Sequence, residues 1–498
     1  MIVLDDEEDQ SLQKLREDRA SAVAGPSTSL PRPIPSASTR LLDPRPTGEP
    51  DLEAPPAYPG TGYQTFPQPP PRPSPSSQDS LPPPASAEGK RPETDTRRRF
   101  VKAVIIALII YALGTVLWAL FTGHRGDDSW EGREWPKPPE GRYEVQQCST
   151  YYQFAKEDFL LVKPLPDAQE GTFFVTLGDQ VAGSVHFVYD ESLREAEAHI
   201  QAFDLDVDQQ ELIARTKICS LQNGKTQGLG ISTPAKRIGS RALNVNVTLA
   251  LPYATSSYGR QRHLKSLTSN ARNFKHTLYL PQDRYFVENV DFRTTNQYII
   301  SGSIVADSVS FQTTNALIGG EFAVNKLLSL KTSNGRIEPK VVAKNDPRRT
   351  NEETKIIFTS SNSPIEGRLD LLSAAPNGKG GKFRVEAKTT NSPVVLTNEQ
   401  LSLDAVLTLK ARTENSPVNV HVAPAFEGTF DLSTTNNAMV VEQENKVDPA
   451  HRSRQRKISI ERHDRRYTGY ASWSKDEAER GNGAISIASM NGPVSLYL

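Results

Sequence analysis

The chain has 498 residues and a formal net charge of −1, so its overall charge does not indicate a class of partner. Its length allows one large domain or two modest domains with a real hydrophobic core. The two cysteines allow a single disulfide, which excludes a fold held together by many of them.

The first hundred residues form a proline-rich segment. Residues 1–99 hold 20 of the 37 prolines, with serine, glycine and scattered charges between them. A segment of this composition buries too little apolar surface to offset the entropy that is lost on ordering. We therefore expect a disordered cytosolic tail over residues 1–100.

Two short motifs in this tail have the form of peptide ligands. Pro55, Pro56 and Tyr58 form a PPxY motif, in which a polyproline II segment presents its rings to the aromatic groove of a WW domain. Pro67 to Arg72 has the PxxPxR form that SH3 domains bind. The alternative for both motifs is a solvated spacer. If the PPxY motif is used, we expect a WW-domain ubiquitin ligase as the partner.

Residues 101–122 contain the most apolar stretch of the chain. From Ala103 to Phe121 there is no charged residue, and a helix of this length would cover about 28 Å, close to the hydrocarbon thickness of a bilayer. The cluster from Arg97 to Lys102 precedes it, and positive flanks stay on the cytosolic side. The first thirty residues hold no apolar signal-peptide core, so the span itself would be a signal-anchor. We expect a single-pass type II protein of the plasma membrane or an endomembrane.

The juxtamembrane basic cluster has a second interpretation, attraction to anionic lipid headgroups. Aromatic residues do not alternate with its charges, and stacking on aromatics is what single-stranded nucleic acid requires. We therefore expect no nucleic-acid partner.

Beyond the span, residues 123–142 form a polar stalk and residues 143–284 consist of strand-like runs separated by Gly, Asn and Pro. Cys148 and Cys219 both lie on this outer side, where a disulfide is permitted; the alternative is two buried free thiols. The sequon that begins at Asn246 is the one glycosylation acceptor that fits the rule.

Residues 285–498 contain eight copies of one pattern, aligned on asparagine. An apolar residue lies six positions before each asparagine, another lies four before it and a third lies three after it, while Thr or Ser lies two before it. The aligned asparagines are Asn296, Asn315, Asn334, Asn362, Asn391, Asn415, Asn436 and Asn491. All eight copies obey all four positions, which makes coincidence untenable.

The spacing predicts how each copy folds. The positions two, four and six before the asparagine share one face of a strand, and asparagine then bends the chain because it tolerates left-handed backbone. Copies of this length typically stack as coils that share a core. We predict an all-β ectodomain with a parallel β-solenoid of strand–arc–strand repeats, in which the asparagines form ladders. The alternative is an antiparallel sandwich of eight hairpins.

The last two copies in the sequence are separated by an insertion at about residues 445–483. Its segment 452–466 contains seven cations, including Arg454, Arg456 and Arg466, with Glu461 and Asp464 opposing them. This cluster could bind anionic glycans or lipid headgroups. The alternative, which we favour, is a solvated loop and hairpin that cap the last coil.

The sequence shows none of the common catalytic signatures. It lacks HExxH, CxxC, GxSxG, phosphate-binding and dinucleotide-binding motifs, and its eight histidines never fall at metal-ligand spacing. We therefore expect no catalytic residues, no metal and no cofactor. The alternative is a polysaccharide-active enzyme that uses a pair of carboxylates.

The repeats resemble the adhesin-like repetitive β-domains of bacterial envelope proteins. The full layout (tail with PPxY, one span, β ectodomain) resembles uncharacterised fungal single-pass membrane proteins. These resemblances imply a fold but carry no settled activity. Three functions follow: a non-enzymatic binding or structural module for a glycan or cell-wall ligand, an adaptor for a WW-domain ubiquitin ligase, and a polysaccharide-active enzyme.

Overall fold

The computed structural model describes residues 134–136, 138, 142–150, 160–165, 170–203, 209–252, 261–348, 352–444, 447–473 and 481–498. All of them belong to one compact unit, residues 97–498. The predicted tail (1–100) and span (101–122) lie outside the described residues. Within the described residues, no helix is both long enough and apolar enough to cross a bilayer.

The all-β prediction is confirmed, since the described residues form 26 strands and one short helix, α1 (Gln210–Arg215). The first strands are β1 (Glu144–Thr150), β2 (Leu160–Leu165), β3 (Gly171–Leu177), β4 (Val181–Asp190), β5 (Ala196–Phe203), β6 (Lys217–Asn223), β7 (Thr226–Ser232), β8 (Leu243–Pro252), β9 (Arg262–Asn270), β10 (Phe274–Tyr279) and β11 (Tyr285–Arg293). Next come β12 (Ile299–Gln312), β13 (Ile318–Lys331), β14 (Ile337–Asn345), β15 (Thr354–Thr359), β16 (Ile365–Ser373), β17 (Lys382–Lys388), β18 (Val394–Leu401), β19 (Val406–Thr413) and β20 (Val418–His421). The last strands are β21 (Gly428–Thr434), β22 (Met439–Glu442), β23 (Lys457–His463), β24 (Arg466–Ser472), β25 (Gly483–Ser489) and β26 (Val494–Tyr497).

Two series of parallel pairings run through these strands. The first series is β7, β3, β9, β11, β12, β13, β15, β17, β19, β25, β21, each strand pairing with the next. The second is β8, β4, β10, β12, β13, β14, β16, β18, β20, β26, β22. The long strands β12 and β13 belong to both series, because their two halves pair with different neighbours.

The antiparallel sandwich is wrong for the repeats, because their strands pair in parallel. Equal positions of successive copies face each other: Val290 pairs with Val309, and Val385 pairs with Leu409. This register keeps every apolar position of one copy on the same face as that of the next. Antiparallel pairing occurs instead at the ends, where β6 pairs with β7, β5 with β8 and β24 with β21.

The core lies between the inward faces of the two series. The apolar positions of the repeats are buried almost completely, with Met439 the one that is only partly covered. Rings of neighbouring copies stack: the centroids of Phe292 and Phe311 are 5.1 Å apart with an interplanar angle of 4°. The core is therefore continuous from one copy to the next, since no single copy could bury its own apolar face.

The order of the strands in space departs from their order in the chain. The final strands, β25 and β26, lie between β19 and β21 and between β20 and β22. At the other end, β3 lies between β7 and β9. Beyond β21, the antiparallel strands β24 and β23 continue the pairing, so the edge that β21 would expose is covered.

Candidate ligand-binding surface

Nine asparagines form one hydrogen-bonded ladder along the bends between the two series; we call it the asparagine ladder. From Asn296 onward, the Nδ2 of each member donates to the Oδ1 of the member before it at 2.8–2.9 Å. In spatial order the members are Asn273, Asn296, Asn315, Asn334, Asn362, Asn391, Asn415, Asn491 and Asn436. The structure thus places all eight aligned asparagines in the ladder and adds Asn273.

Hydroxyls two residues before the asparagines support the ladder from inside. Thr313 Oγ1 donates to the carbonyl oxygens of Thr295 and Gln297, 3.3 and 3.1 Å away on the preceding coil. Thr389 and Thr413 make the same kind of bond three and four copies further on. These hydroxyls are buried, and each donates to a carbonyl oxygen that also accepts from backbone N–H groups at the bend.

The ladder is a solvent-facing ridge without charge. Its members are exposed, except Asn273, which is half-buried. A side-chain amide has two N–H donors and an oxygen with two lone pairs, and one of each is used between neighbours. Each inner rung therefore keeps one donor and one lone pair for solvent or a ligand.

Beside the ladder, the outer face of the first series carries a groove of about 450 Å³ that we call the cationic groove. The side chains that define it are Lys388, Arg412, Glu414, Ser433, Arg465 and Ala488. Lys388 pairs with Arg412 in the strand register, and Arg412 pairs with Ala488. Because Ala488 is small, its strand forms the floor between longer side chains.

A larger groove, of about 920 Å³, lies further along the same face. Its two lysines share one carboxylate: Lys265 Nζ lies 2.8 Å and Lys225 Nζ 3.4 Å from oxygens of Glu170. Hydrogen bonds from these lysines lower the pKa of Glu170, with Lys265 making the largest contribution. The two lysine charges of this groove are therefore paired with a carboxylate inside it.

The basic insertion is largely engaged in bonds of its own. Arg454 holds Asp448 through two hydrogen bonds of 3.2 and 2.9 Å and thereby lowers the pKa of that carboxyl. Arg466 binds Asp431 with two hydrogen bonds, 2.8 and 2.9 Å long. Arg456 donates to the carbonyls of Pro424 and Phe426. Arg456 and Arg466 thus join the insertion to residues 424–431, whereas Arg454 joins two parts of the insertion itself.

A polar cluster spans β8, β4 and β10 on the second series and contains Asn246. Ser184 Oγ donates to Asn246 Oδ1 at 2.7 Å, so His186 Nε2, 2.8 Å from the same hydroxyl, carries the proton. His186 Nδ1 then accepts from Thr277 Oγ1 at 2.5 Å. Burial lowers the pKa of His186, and Lys275 adds to the shift.

The predicted glycosylation acceptor therefore lies inside a sheet. Asn246 pairs with Ser184 on one side and Gln201 on the other, whereas used acceptors lie in surface loops. A glycan could be added there only before the strand is paired. Glycosylation of Asn246 stays a prediction.

The two cysteines face each other on paired strands. Cys148 of β1 and Cys219 of β6 are direct register partners, and their sulfurs form a disulfide that bridges 71 positions of sequence. Cys219 is fully buried beside Phe173 and Leu221.

His276 is a fully buried titratable group in the described part of the chain that the sequence did not single out. Its side chain is fully buried; Nδ1 donates to the Phe274 carbonyl at 2.8 Å, and Nε2 accepts from Ser269 Oγ at 2.8 Å. Burial lowers its pKa from 6.5 to about 3. The imidazole is therefore neutral and serves as a core side chain.

The remaining predicted sites are placed as follows. Pro55, Pro56 and Tyr58 lie outside the described residues. Within the described residues, no cluster of His, Cys, Asp and Glu side chains has the grouping that a metal ion needs.

Comparison with solved structures finds a crystal structure from Clostridium sporogenes described as a "putative cell adhesion protein". The match covers 68% of this chain and 98% of the other, at 8% identity and a TM-score of 0.16. Among curated proteins, none matches the chain. The resemblance to fungal single-pass proteins stays a prediction. Residues 307–498, which carry the ladder from Asn315 onward, match the family model described as "Domain of unknown function (DUF7330)".

Proposed function

We propose that this chain is a type II single-pass membrane protein whose extracytoplasmic part is a parallel β-solenoid that acts as a non-enzymatic binding or structural module. The asparagine ladder is the observation that carries the proposal. It joins nine coils through side-chain amides, from Asn273 to Asn436, and presents them to solvent. Stacked coils of this kind make extended, rigid surfaces, which is how repeat proteins bind large partners.

The chemistry of the ladder supports a glycan or cell-wall ligand. Each inner rung has a spare N–H and a spare lone pair, and sugar hydroxyls both donate and accept hydrogen bonds. Hydroxyls next to the ladder extend this pattern: Ser392 and Ser416 donate to ladder carbonyls and are half-buried. A rigid array loses little conformational entropy when it binds, which favours a repetitive polymer.

Two further observations support a location of the β module on the outer side of a membrane. The disulfide between Cys148 and Cys219 belongs to an oxidising compartment. The apolar stretch from Ala103 to Phe121, with its basic flank, supports a signal-anchor with the N-terminus in the cytosol.

The test measures membrane orientation and polysaccharide binding, both on the full-length protein. Protease added to sealed vesicles whose cytosolic face is inside should digest the β module and spare the tail. The detergent-purified protein should bind at least one member of a panel of cell-wall polysaccharides without releasing soluble products. A digested tail overturns the orientation, and product release favours the polysaccharide-active enzyme.

A second function is favoured by the PPxY motif of Pro55, Pro56 and Tyr58: recruitment of a WW-domain ubiquitin ligase to the membrane. A docked ligase would reach few lysines, because Lys14, Lys90 and Lys102 are the ones that precede the apolar stretch. Tyr58→Ala should abolish capture of the tail by WW domains. Equal capture of both tails, or capture of neither, removes this function.

A further inference from the structure

The cationic groove contains like charges without an internal partner. Lys388 and Arg412 are register partners on β17 and β19, so their Cα atoms lie about one strand spacing, ~4.8 Å, apart. Like charges directly opposite each other destabilise a sheet. Within the described residues neither side chain forms an ion pair, and both are exposed.

Arg465 adds a third cation from the far side of the groove. It lies in the turn between β23 and β24, and its carbonyl accepts from the Thr434 backbone N–H at 3.3 Å. Its neighbour Arg466 is bound to Asp431, whereas Arg465 forms no ion pair within the described part of the chain. Glu414 is the one carboxylate among the side chains that line the groove, which leaves a net positive charge.

The shape of the groove follows from the order of the coils. Arg412 and Ser433 lie two strand spacings apart, about 10 Å, with Ala488 between them. From Lys388 to the turn that carries Arg465 the groove crosses four spacings, about 19 Å. It runs parallel to the asparagine ladder, next to Asn415, Asn491 and Asn436.

We propose that the cationic groove binds an anionic polysaccharide, with Lys388, Arg412 and Arg465 binding its carboxylate or sulfate groups and the adjoining ladder amides binding its hydroxyls. The proposal rests on the proposed binding function and names the class of ligand. A linear polymer fits because the charges and the amides lie in two parallel rows. One row attracts the anionic groups and the other supplies neutral hydrogen bonds.

Two other anionic partners fit less well. Stacking on single-stranded nucleic acid needs aromatic side chains, and the groove is lined by none. Attachment to a bilayer is stabilised by apolar side chains that enter the lipid, and Met490 is the one large apolar side chain exposed at the groove.

The experiment measures binding of detergent-purified full-length protein to polygalacturonate, dextran sulfate and neutral dextran, and to phosphatidylserine vesicles. The test variant is the double substitution Lys388→Gln and Arg412→Gln. The matched control is Lys340→Gln with Arg368→Gln, because these two cations are also register partners on neighbouring strands but lie on the second series. A third variant, Ala488→Trp, fills the groove without changing its charge.

Wild-type protein should bind polygalacturonate or dextran sulfate, more weakly as salt is added. The Lys388/Arg412 variant should weaken this binding about tenfold, since two surface charge contacts are worth on the order of that factor. Ala488→Trp should weaken it as well, with an unchanged circular dichroism spectrum, and the control pair should bind like wild type.

The outcomes separate the two proposals. Binding to neutral dextran alone overturns the proposal for the groove but leaves a glycan-binding module. Equal losses of affinity in the test and control variants have the same meaning. Binding to phosphatidylserine vesicles alone replaces the polysaccharide with a membrane and also overturns it. Binding to none of the polysaccharides overturns the glycan ligand of the proposed function, and the groove with it.

Discussion

Asn491 donates its Nδ2–H to Asn415 Oδ1 at 2.8 Å, although the two residues are 76 positions apart in the chain. Asn436 then donates to Asn491, also at 2.8 Å. The last copy in the sequence is thus the second-last member of the ladder. The C-terminal strands β25 and β26 lie between strands that come earlier in the chain, so those earlier strands gain these partners only after β25 and β26 have been added.

Ile487→Ala should destabilise the chain by about 2–5 kcal/mol, because it leaves a cavity in the inserted coil. Ile487 is fully buried, and β25 pairs on both sides. Urea unfolding of the purified protein, followed by tryptophan fluorescence, gives the free energy of unfolding. Val440→Ala, on the edge strand β22 where Val440 is 36% exposed, is the control and should cost much less. Equal costs would contradict the inserted position.

Asn391→Val should cost about 1–3 kcal/mol, because it breaks two ladder bonds and leaves the neighbouring amides short of a partner. The control is Asn419→Val on β20, since that side chain lies outside the ladder. The same unfolding measurement applies. A loss no larger than the control's would mean that the ladder adds nothing to stability.

Replacing both Cys148 and Cys219 with Ser should lower the free energy of unfolding by about 4 kcal/mol on the chain-entropy model for a loop of 71 residues. Non-reducing electrophoresis of the protein from its native membranes checks the bond directly. Faster migration before reduction than after it is the expected result. Identical migration, with both thiols open to alkylation, would contradict the disulfide.

Stability should fall as the pH is lowered from about 6.5 towards 3, in part because of His276. Burial lowers its pKa to about 3 in the folded chain, against 6.5 for an ordinary histidine. Between these values the unfolded chain binds a proton that the folded chain does not, so acid favours unfolding; above pH 6.5 the contribution is complete.

His276→Gln should remove up to about 1.4 kcal/mol per pH unit from the slope of unfolding free energy against pH in that window. Ser269→Ala is the control: it removes the hydroxyl that binds Nε2, keeps the imidazole, and should keep the slope while lowering stability at every pH. A wild-type slope in His276→Gln would show that His276 does not contribute.

Much of the repeat region could be predicted from the sequence, because the strand pattern of each copy is set by residues that are close together in the chain. Apolar residues at fixed distances from an asparagine, such as Val385 and Val394 around Asn391, have a strand period and are all buried. The hydroxyl two positions earlier, Thr389, is buried because it bonds to backbone of the preceding coil. The spacing of the apolar residues depends only on neighbours along the chain, and the place of the hydroxyl depends on the copy before it.

The ladder's first member was missed because its copy departs from the pattern. Asn273 has Ala271 where the others have Thr or Ser, and His276 where they have an apolar residue. His276 fills that core position as a neutral imidazole, since Ser269 and the Phe274 carbonyl satisfy both of its nitrogens. Leu267, six positions before Asn273, was the signal that could have found it.

The order of the last coils and the cationic groove could not be predicted. The spacing of copies gives the shape of a coil but not which coil lies beside it, so the position of Asn491 between Asn415 and Asn436 has no sequence signal. The groove depends on that order, because Ala488 becomes its floor only when β25 lies between β19 and β21.

The central claim is that the β module, and not the tail, carries the function. The most direct measurement compares polysaccharide binding by the full-length protein with that by a deletion of residues 2–89, which keeps the basic flank from Lys90 to Lys102 and hence the orientation. We predict equal affinity for the two proteins on the same polysaccharide panel. Binding that disappears with the tail, or a panel that neither protein binds, would contradict the claim.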